Sequence, residues 1–143
     1  MKISITSTKM KYYLDSNICI FHLRKPHGIL SRKIYSVDPE DIKLPAIVKA
    51  ELLAGAMKSA KPEKNIAEVT DFCDSFEIVP FDDSMILTYA KIRSSLELKG
   101  QKIGQNDTII AATVLAHNGI LITNNTKEFM RVEGLECIDW TKE

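Results

Sequence analysis

Short apolar runs alternate along this chain with longer stretches whose apolar residues repeat at helical spacing, and the two rhythms predict its elements in order. Lys11-Tyr-Tyr-Leu-Asp15 is a short aromatic-rich run that ends in an acid, as a buried strand ends at the carboxyl edge of a sheet. A helix is expected from Ile18 to about Leu23, with Ser16 or Asn17 as its cap; it stops before Pro26 and Gly28, and a second short amphipathic helix runs from Ile29 to about Val37. Ile42-Lys-Leu44 is the next strand candidate. Pro45 opens a long helical pattern from Ile47 to Met57, and after Pro62 another helix reaches about Ser75. Glu77-Ile-Val-Pro80 reads as a third strand, and Asp82 or Asp83 caps an amphipathic helix from Ser84 to Leu98 that Gly100 ends.

The stretch from Thr108 to Asn118 offers almost no polar face, so it predicts a helix buried on nearly all sides. Gly104 breaks what precedes it, Asn106 is the expected N-cap, and Asp107 falls in the first turn, where free N–H groups and the helix dipole favour a carboxylate. Gly119-Ile-Leu-Ile-Thr123 has the continuous apolar character of a parallel strand, and Cys137-Ile-Asp-Trp140 is a last short strand with Trp140 covering its end. Strands that alternate with helices imply a doubly wound α/β fold with a parallel sheet of four to five short strands, since parallel neighbours need crossover connections. One domain is expected over residues 10–143, with residues 1–9 as a tail or strand extension and Met10 as an alternative start.

Composition narrows the class. At 143 residues, 45% hydrophobic and 27% charged, the chain has the size and make-up of one ordinary globular domain. Nineteen basic and nineteen acidic residues cancel, so nucleic-acid binding would need a local patch. The three cysteines, Cys19, Cys73 and Cys137, are far apart and flanked by apolar residues, which predicts reduced core thiols in a cytoplasmic protein and no zinc site. No apolar run approaches membrane-spanning length, and Met1 to Lys9 lacks the apolar centre of a signal peptide.

In a doubly wound sheet, ligands bind outside the carboxyl ends of the strands. Asp15 ends the first strand, Thr123, Asn124 and Asn125 end the one after the buried helix, and Asp107 starts that helix beside the same edge. Glu51 lies among Val48, Leu52 and Leu53 in a pattern suited to burial, where an unpaired charge costs several kcal/mol and calls for a cation. Acids that converge without a basic partner point to a metal site. For an isolated Asp107, dipole stabilisation alone would be the plainer explanation.

Four motifs in register, Tyr13-Leu-Asp-Ser-Asn17, Ala50-Glu-Leu-Leu-Ala-Gly55, Ile103-Gly-Gln-Asn-Asp107 with Ile110-Ala-Ala112, and Leu121-Ile-Thr-Asn-Asn-Thr-Lys-Glu-Phe129, resemble the PIN-domain ribonucleases of the VapC toxin type. The ending Val132-Glu-Gly-Leu135 with Asp139-Trp140 is similar too. The resemblance implies a single PIN-like domain, a metal-dependent endoribonuclease acting on tRNA or another structured RNA, a cognate VapB-like antitoxin and a homodimer. Carried over residue by residue, it places the family's acidic metal ligands on Asp15, Glu51 and Asp107, and the fourth position on Asn125, where many relatives carry an acid. Mg²⁺, or Mn²⁺ in its place, prefers such oxygen ligands, keeps several waters, and supplies both a nucleophile and charge relief for phosphodiester hydrolysis. Asp15 and Asp107 are assigned to direct coordination, and Glu51 to coordination directly or through water, or to orienting the attacking water. Thr123 and Ser16 are candidates to bond phosphate or ligand carboxylates, Asn125 to do so or complete the metal shell, and Asn17 to touch the site or cap its helix. Hydrolysis would leave a 5′-phosphate and a 3′-hydroxyl.

The rival readings are a phosphotransferase or nucleotide-binding domain, which lacks a Gly-rich phosphate loop here, and a catalytically inactive PIN-like module that binds RNA or protein. His22, His27 and His117 show no ligand spacing. Lys99, Lys102, Lys127 and Arg131 flank the acids in sequence and are candidates to line an RNA groove. Ile20, Phe21, Leu23, Ile29, Leu30 and Ile34 are more apolar residues than one buried face needs, which predicts a partner groove around Ile18 to Tyr35, for the antitoxin or for a second copy.

Overall fold

The structure, a computed structural model, describes residues 10–142; the expected tail or strand extension over residues 1–9 lies outside them. Five strands, β1 (Tyr12–Leu14), β2 (Ile42–Pro45), β3 (Glu77–Val79), β4 (Ile120–Ile122) and β5 (Glu136–Ile138), form one sheet in the order β3-β2-β1-β4-β5. Every neighbouring pair is parallel, with Tyr12 opposite both Ile42 and Ile120. The central strands are continuous apolar runs because both faces are covered: Leu14, Ile42, Leu44, Leu121 and Ile122 are fully buried.

Seven α-helices connect and flank the strands: α1 (Ser16–Arg24), α2 (Ile29–Ser36), α3 (Ala46–Met57), α4 (Pro62–Cys73), α5 (Ile86–Leu98), α6 (Gln105–Ala116) and α7 (Thr126–Phe129). The chain builds outward from β1 through β2 to β3, then returns to the other side of β1 for β4 and β5. Strand order therefore reverses between β1 and β4, and a crevice opens at their carboxyl ends. Helix α3 packs along α4 and touches α1 and α6, while α5 packs along α6.

Several boundaries differ from the sequence reading, each for a local reason. Asp15, not Ser16 or Asn17, caps α1: its carboxylate accepts the Ile18 N–H at 2.9 Å. Gly104, not Asn106, is the N-cap of α6, so the helix starts two residues earlier. Asp82 does cap its segment, but the first turn it opens, Asp83–Met85, is a 3-10 turn before α5 begins. Helix α6 ends at Ala116 because Asn118 takes a left-handed conformation, φ 54, that redirects the chain into β4. Gly119 follows directly, and a Cβ there would land on the Tyr13 ring. Helix α7 was not expected at all.

Helix α6 is as buried as its composition demands: Thr108, Ile110, Ala111, Ala112, Thr113 and Val114 are all inside. Its two buried threonines avoid an unsatisfied hydroxyl by donating backward, Thr108 to the Gly104 carbonyl at 2.9 Å and Thr113 to that of Ile109 at 2.8 Å. Trp140 is buried and its ring lies 5.2 Å from that of Tyr12, closing the β5 end of the core. The surplus apolar residues of the early helices divide: Leu30 and Ile34 are in the core, Ile20 and Leu23 are partly buried, and Tyr35 is 71% exposed.

Candidate active site

The crevice at the switch point holds four carboxyl groups, each brought there by a different element. Asp15 follows β1 and is 4% exposed. One of its oxygens caps α1, and the other accepts the Thr123 hydroxyl at 2.5 Å, so the ends of β1 and β4 are tied together through the acid itself. Burial raises the Asp15 pKa, the hydrogen bonds from Thr123 and Ile18 pull it down, and the charges of Glu51 and Asp139 push it up again; the net direction is upward.

Glu51 reaches the crevice from α3, whose Val48, Leu52 and Ala56 form the buried stripe. Its carboxylate accepts the Ser16 hydroxyl on one oxygen and the Asn106 side-chain amide, at 2.9 Å, on the other. Asn106 was expected to cap a helix; with Gly104 in that role its amide is free to hold Glu51.

Asp107 enters from the first turn of α6. Its pKa is pushed up to about 7, first by burial, then by a hydrogen bond and charge from Glu128, then by the charges of Asp15 and Glu51. The helix dipole acts the other way but is worth only about 0.3–1 kcal/mol. Burial and three neighbouring carboxyls outweigh the dipole, so the net direction at Asp107 is upward.

Glu128 is a candidate site residue that sequence reasoning missed. It lies on the four-residue helix α7, and its carboxyl meets that of Asp107. Asn125, assigned to the fourth position, sits behind it: its side-chain amide donates to Glu128 at 3.0 Å, and its backbone N–H donates to the Thr123 hydroxyl at 3.0 Å. The fourth carboxyl is thus supplied three residues further along, and Asn125 positions it. The available signal was the Asn-Asn-Thr-Lys-Glu sequence, in which Glu128 falls one turn beyond a turn residue. Asn17 is exposed, and none of the hydrogen bonds described for the site involves it.

Among the described residues none of Asp15, Glu51, Asp107 and Glu128 forms an ion pair with a lysine or arginine. Nor do three of them already close around one point as a finished metal cage. Each is held instead by hydroxyl, amide or carboxyl neighbours. The fit to a divalent cation lies in the donors: oxygen ligands only, excess negative charge, and an Asp107–Glu128 carboxyl contact that requires either a shared proton or a cation.

Comparison with known proteins places this geometry. The PIN domain profile matches residues 12–135, nearly the whole described chain. A Rickettsia felis ribonuclease of the VapC type is 37% identical over 134 residues, 93% of this chain and 100% of that protein. A tRNA(fMet)-specific endonuclease VapC from Shigella flexneri is 33% identical over 92% of this chain and 99% of its own length. The crystal structure of DNA-bound VapBC from Salmonella typhimurium superposes with a TM-score of 0.87 at 31% identity, covering 92% of this chain and 99% of that one. The chain belongs to the PIN-domain family, in its VapC branch.

Proposed function

We propose that this protein is a metal-dependent endoribonuclease and the toxin of a VapB–VapC type toxin–antitoxin pair. The observation that carries this reading is a set of four carboxyls at the switch point of a parallel sheet with no cation among them. A bound Mg²⁺ or Mn²⁺ would supply Lewis acidity toward the scissile phosphate and make water a competent nucleophile at neutral pH.

The chain's own residues do the rest. Asp15, buried and fixed by Thr123 and the Ile18 N–H, would be the rigid ligand. Asp107 and Glu128 would be further ligands, and Asp107 would give up the proton that burial and its carboxyl neighbours favour in the cation's absence. Glu51, steadied by Ser16 and Asn106, is oriented either to join the metal shell through water or to align the attacking water. Asn125 keeps Glu128 turned inward.

An RNA substrate is supported by the printed names of the relatives, among them the tRNA(fMet)-specific enzyme of Shigella flexneri. Salmonella typhimurium and Rickettsia felis relatives were solved as VapBC assemblies, which supports a VapB-like antitoxin for this chain. A groove of about 260 Å³ whose lining combines apolar Ile20, Leu23, Leu52 and Val69 with charged Arg24, Glu51 and Glu68 is a candidate seat for an antitoxin segment beside the site. A homodimer and a cytoplasmic location complete the reading; among the described residues no helix is long and apolar enough to cross a membrane.

The test is cleavage of total cellular RNA by purified protein in Mg²⁺, in Mn²⁺ and in excess EDTA. Cleavage confined to the metal-containing reactions is expected. Cleavage that persists in EDTA would remove the metal mechanism, and no cleavage under any condition would favour the inactive binding module.

A further inference from the structure

The loop Ile103-Gly104-Gln105-Asn106-Asp107 has two sides. One carries Asn106 and Asp107 to the carboxyl cluster. The other borders a separate cavity of about 180 Å³ between α5 and the start of α6, lined by Tyr89, Arg93, Leu96, Glu97, Lys102, Ile103, Gln105 and Thr108. Its volume is below the roughly 300 Å³ at which pockets begin to take drug-sized ligands, a size that suits a single planar ring system.

The wall of this cavity is ordered by contacts among its own side chains. The Tyr89 ring is set edge-on against Phe81 at 5.7 Å. Arg93 spans one helical turn in both directions, with Nη1 on the Tyr89 hydroxyl at 3.4 Å and Nε on Glu97 at 3.2 Å. That holds a planar cation beside an aromatic ring while leaving the Arg93 side chain 56% exposed to an incoming group. Leu96 and Ile103 add apolar surface, Gln105 offers an amide that both donates and accepts, and Lys102 adds a second cation. An exposed pair four residues apart on a helix is a common surface contact and accounts for Arg93 with Glu97. It does not account for the half-buried tyrosine, or for Lys102 before α6 and Gln105 at its first position, two residues ahead of Asp107.

We propose that this cavity between α5 and the loop before α6 is a subsite for one unstacked nucleobase of the RNA next to the scissile phosphate. Single-stranded RNA is recognised by splaying bases onto aromatic rings and arginine planes, with polar groups at the base edge. Two cations against one acid make this side of the loop attractive to a phosphodiester chain, whereas the carboxyl side repels one until a metal is present. RNA drawn in by Arg93 and Lys102 would then be registered by its base against Tyr89 with the adjoining phosphate at the acids. The inference rests on the ribonuclease reading.

The probe is a synthetic single-stranded oligoribonucleotide carrying the sequence that the native protein cuts in total RNA, together with copies in which one base at a time around the cut is replaced by an abasic ribose. For native protein, one abasic position is expected to lower kcat/KM by about ten-fold or more, the loss of one stacked base. In Tyr89→Leu and in Arg93→Gln the intact oligonucleotide is cut less efficiently, and the abasic penalty at that same position shrinks to within about two-fold, because the stacking partner is already gone. Arg93→Gln changes an exposed side chain and keeps the test available if Tyr89→Leu melts early. An unchanged abasic penalty in both variants, or no abasic penalty at any position, overturns the subsite while native cleavage leaves the nuclease reading standing. Native protein that cuts no RNA at all overturns both.

Discussion

The two ends of the sheet use the same kinds of charged residue in opposite ways. At the amino ends of the strands two acids have cations: Lys11 meets Asp41 at 2.8 Å and Lys43 meets Glu77 at 2.5 Å across the β2–β3 register. At the carboxyl ends Asp15, Glu51, Asp107 and Glu128 have hydroxyls, amides and one another, and no cation. Pairing lowers the Glu77 pKa through the Lys43 hydrogen bond, while crowding and burial raise those of Asp15 and Asp107. A paired edge contributes to the stability of the fold. An unpaired edge costs stability in the metal-free protein, and on the proposed reading a bound cation would offset that cost.

The sharpest way to break this comparison is to neutralise an acid at each end. Asp15→Asn or Asp107→Asn is expected to lower RNA cleavage by at least about 10²-fold, on the scale of losing one preorganised electrostatic group. Glu77→Gln should leave cleavage unchanged. Stability should respond in the reverse order. Without metal, Asp107→Asn should be as stable as native protein or more so, since one repulsive carboxyl is removed at nearly constant shape. With Mg²⁺ at about 100 times its Kd the native protein gains about 2.7 kcal/mol, on the order of 5–10 °C in Tm, and the variant gains little. Melts of both proteins with and without Mg²⁺ measure this. A metal-independent loss of stability in Asp107→Asn with cleavage intact would reduce Asp107 to a dipole-stabilising acid.

Much of the carboxyl edge was legible before any coordinates, and the reasons are physical. Parallel strands buried on both faces announce themselves as unbroken apolar runs, so β1, β2 and β4 were visible despite being only three or four residues long. Asp15 and Asp107 were visible because they stand where a strand ends and a buried helix begins. Glu51 was visible because it interrupts an apolar pattern. Helix α7 has four residues, too few for a helical repeat to register, and without it nothing in the sequence aims Glu128 at Asp107. The same limit hid the roles of Asn106 and Asn125: an asparagine that holds a carboxylate reads along the chain like one that caps a helix or makes a turn.

The two edges also predict opposite slopes of stability against pH. Asp107 has a folded pKa of about 7 against an ordinary 3.8, so between those values the folded state binds more protons than the unfolded state. Metal-free stability must then fall as pH rises through that window, and Asp15, shifted in the same direction, adds to the fall. Glu77 is shifted downward, so its contribution is present above the ordinary value of 4.5 and is lost as pH falls below it. Chemical denaturation of metal-free native protein across about pH 4 to 8 should show a decline toward neutrality that Asp107→Asn reduces and saturating Mg²⁺ abolishes. Stability that climbs through the same range without metal would show that the acids do not crowd one another.

The smallest effect lies at the amino edge and decides whether pairing there is worth anything. The Glu77 side chain is 64% exposed and that of Lys43 15%, so the pair is half in water and its attraction is screened. Glu77→Gln should cost about 0.2–1 kcal/mol in low salt and less as salt is raised. Lys43→Met isolates a different term, because the methionine keeps much of the apolar stem of a lysine whose side chain is only 15% exposed while removing its charge. If the ion pair is the whole contribution, the two single variants and the double variant destabilise equally, since each has already broken the same contact. If instead Lys43 stabilises mainly through its buried stem, Lys43→Met is close to neutral and Glu77→Gln alone carries the salt dependence. A double variant less stable than either single variant, with losses that add, would show that Lys43 and Glu77 act independently, and the contrast between a paired and an unpaired edge would then rest on Lys11 and Asp41 alone.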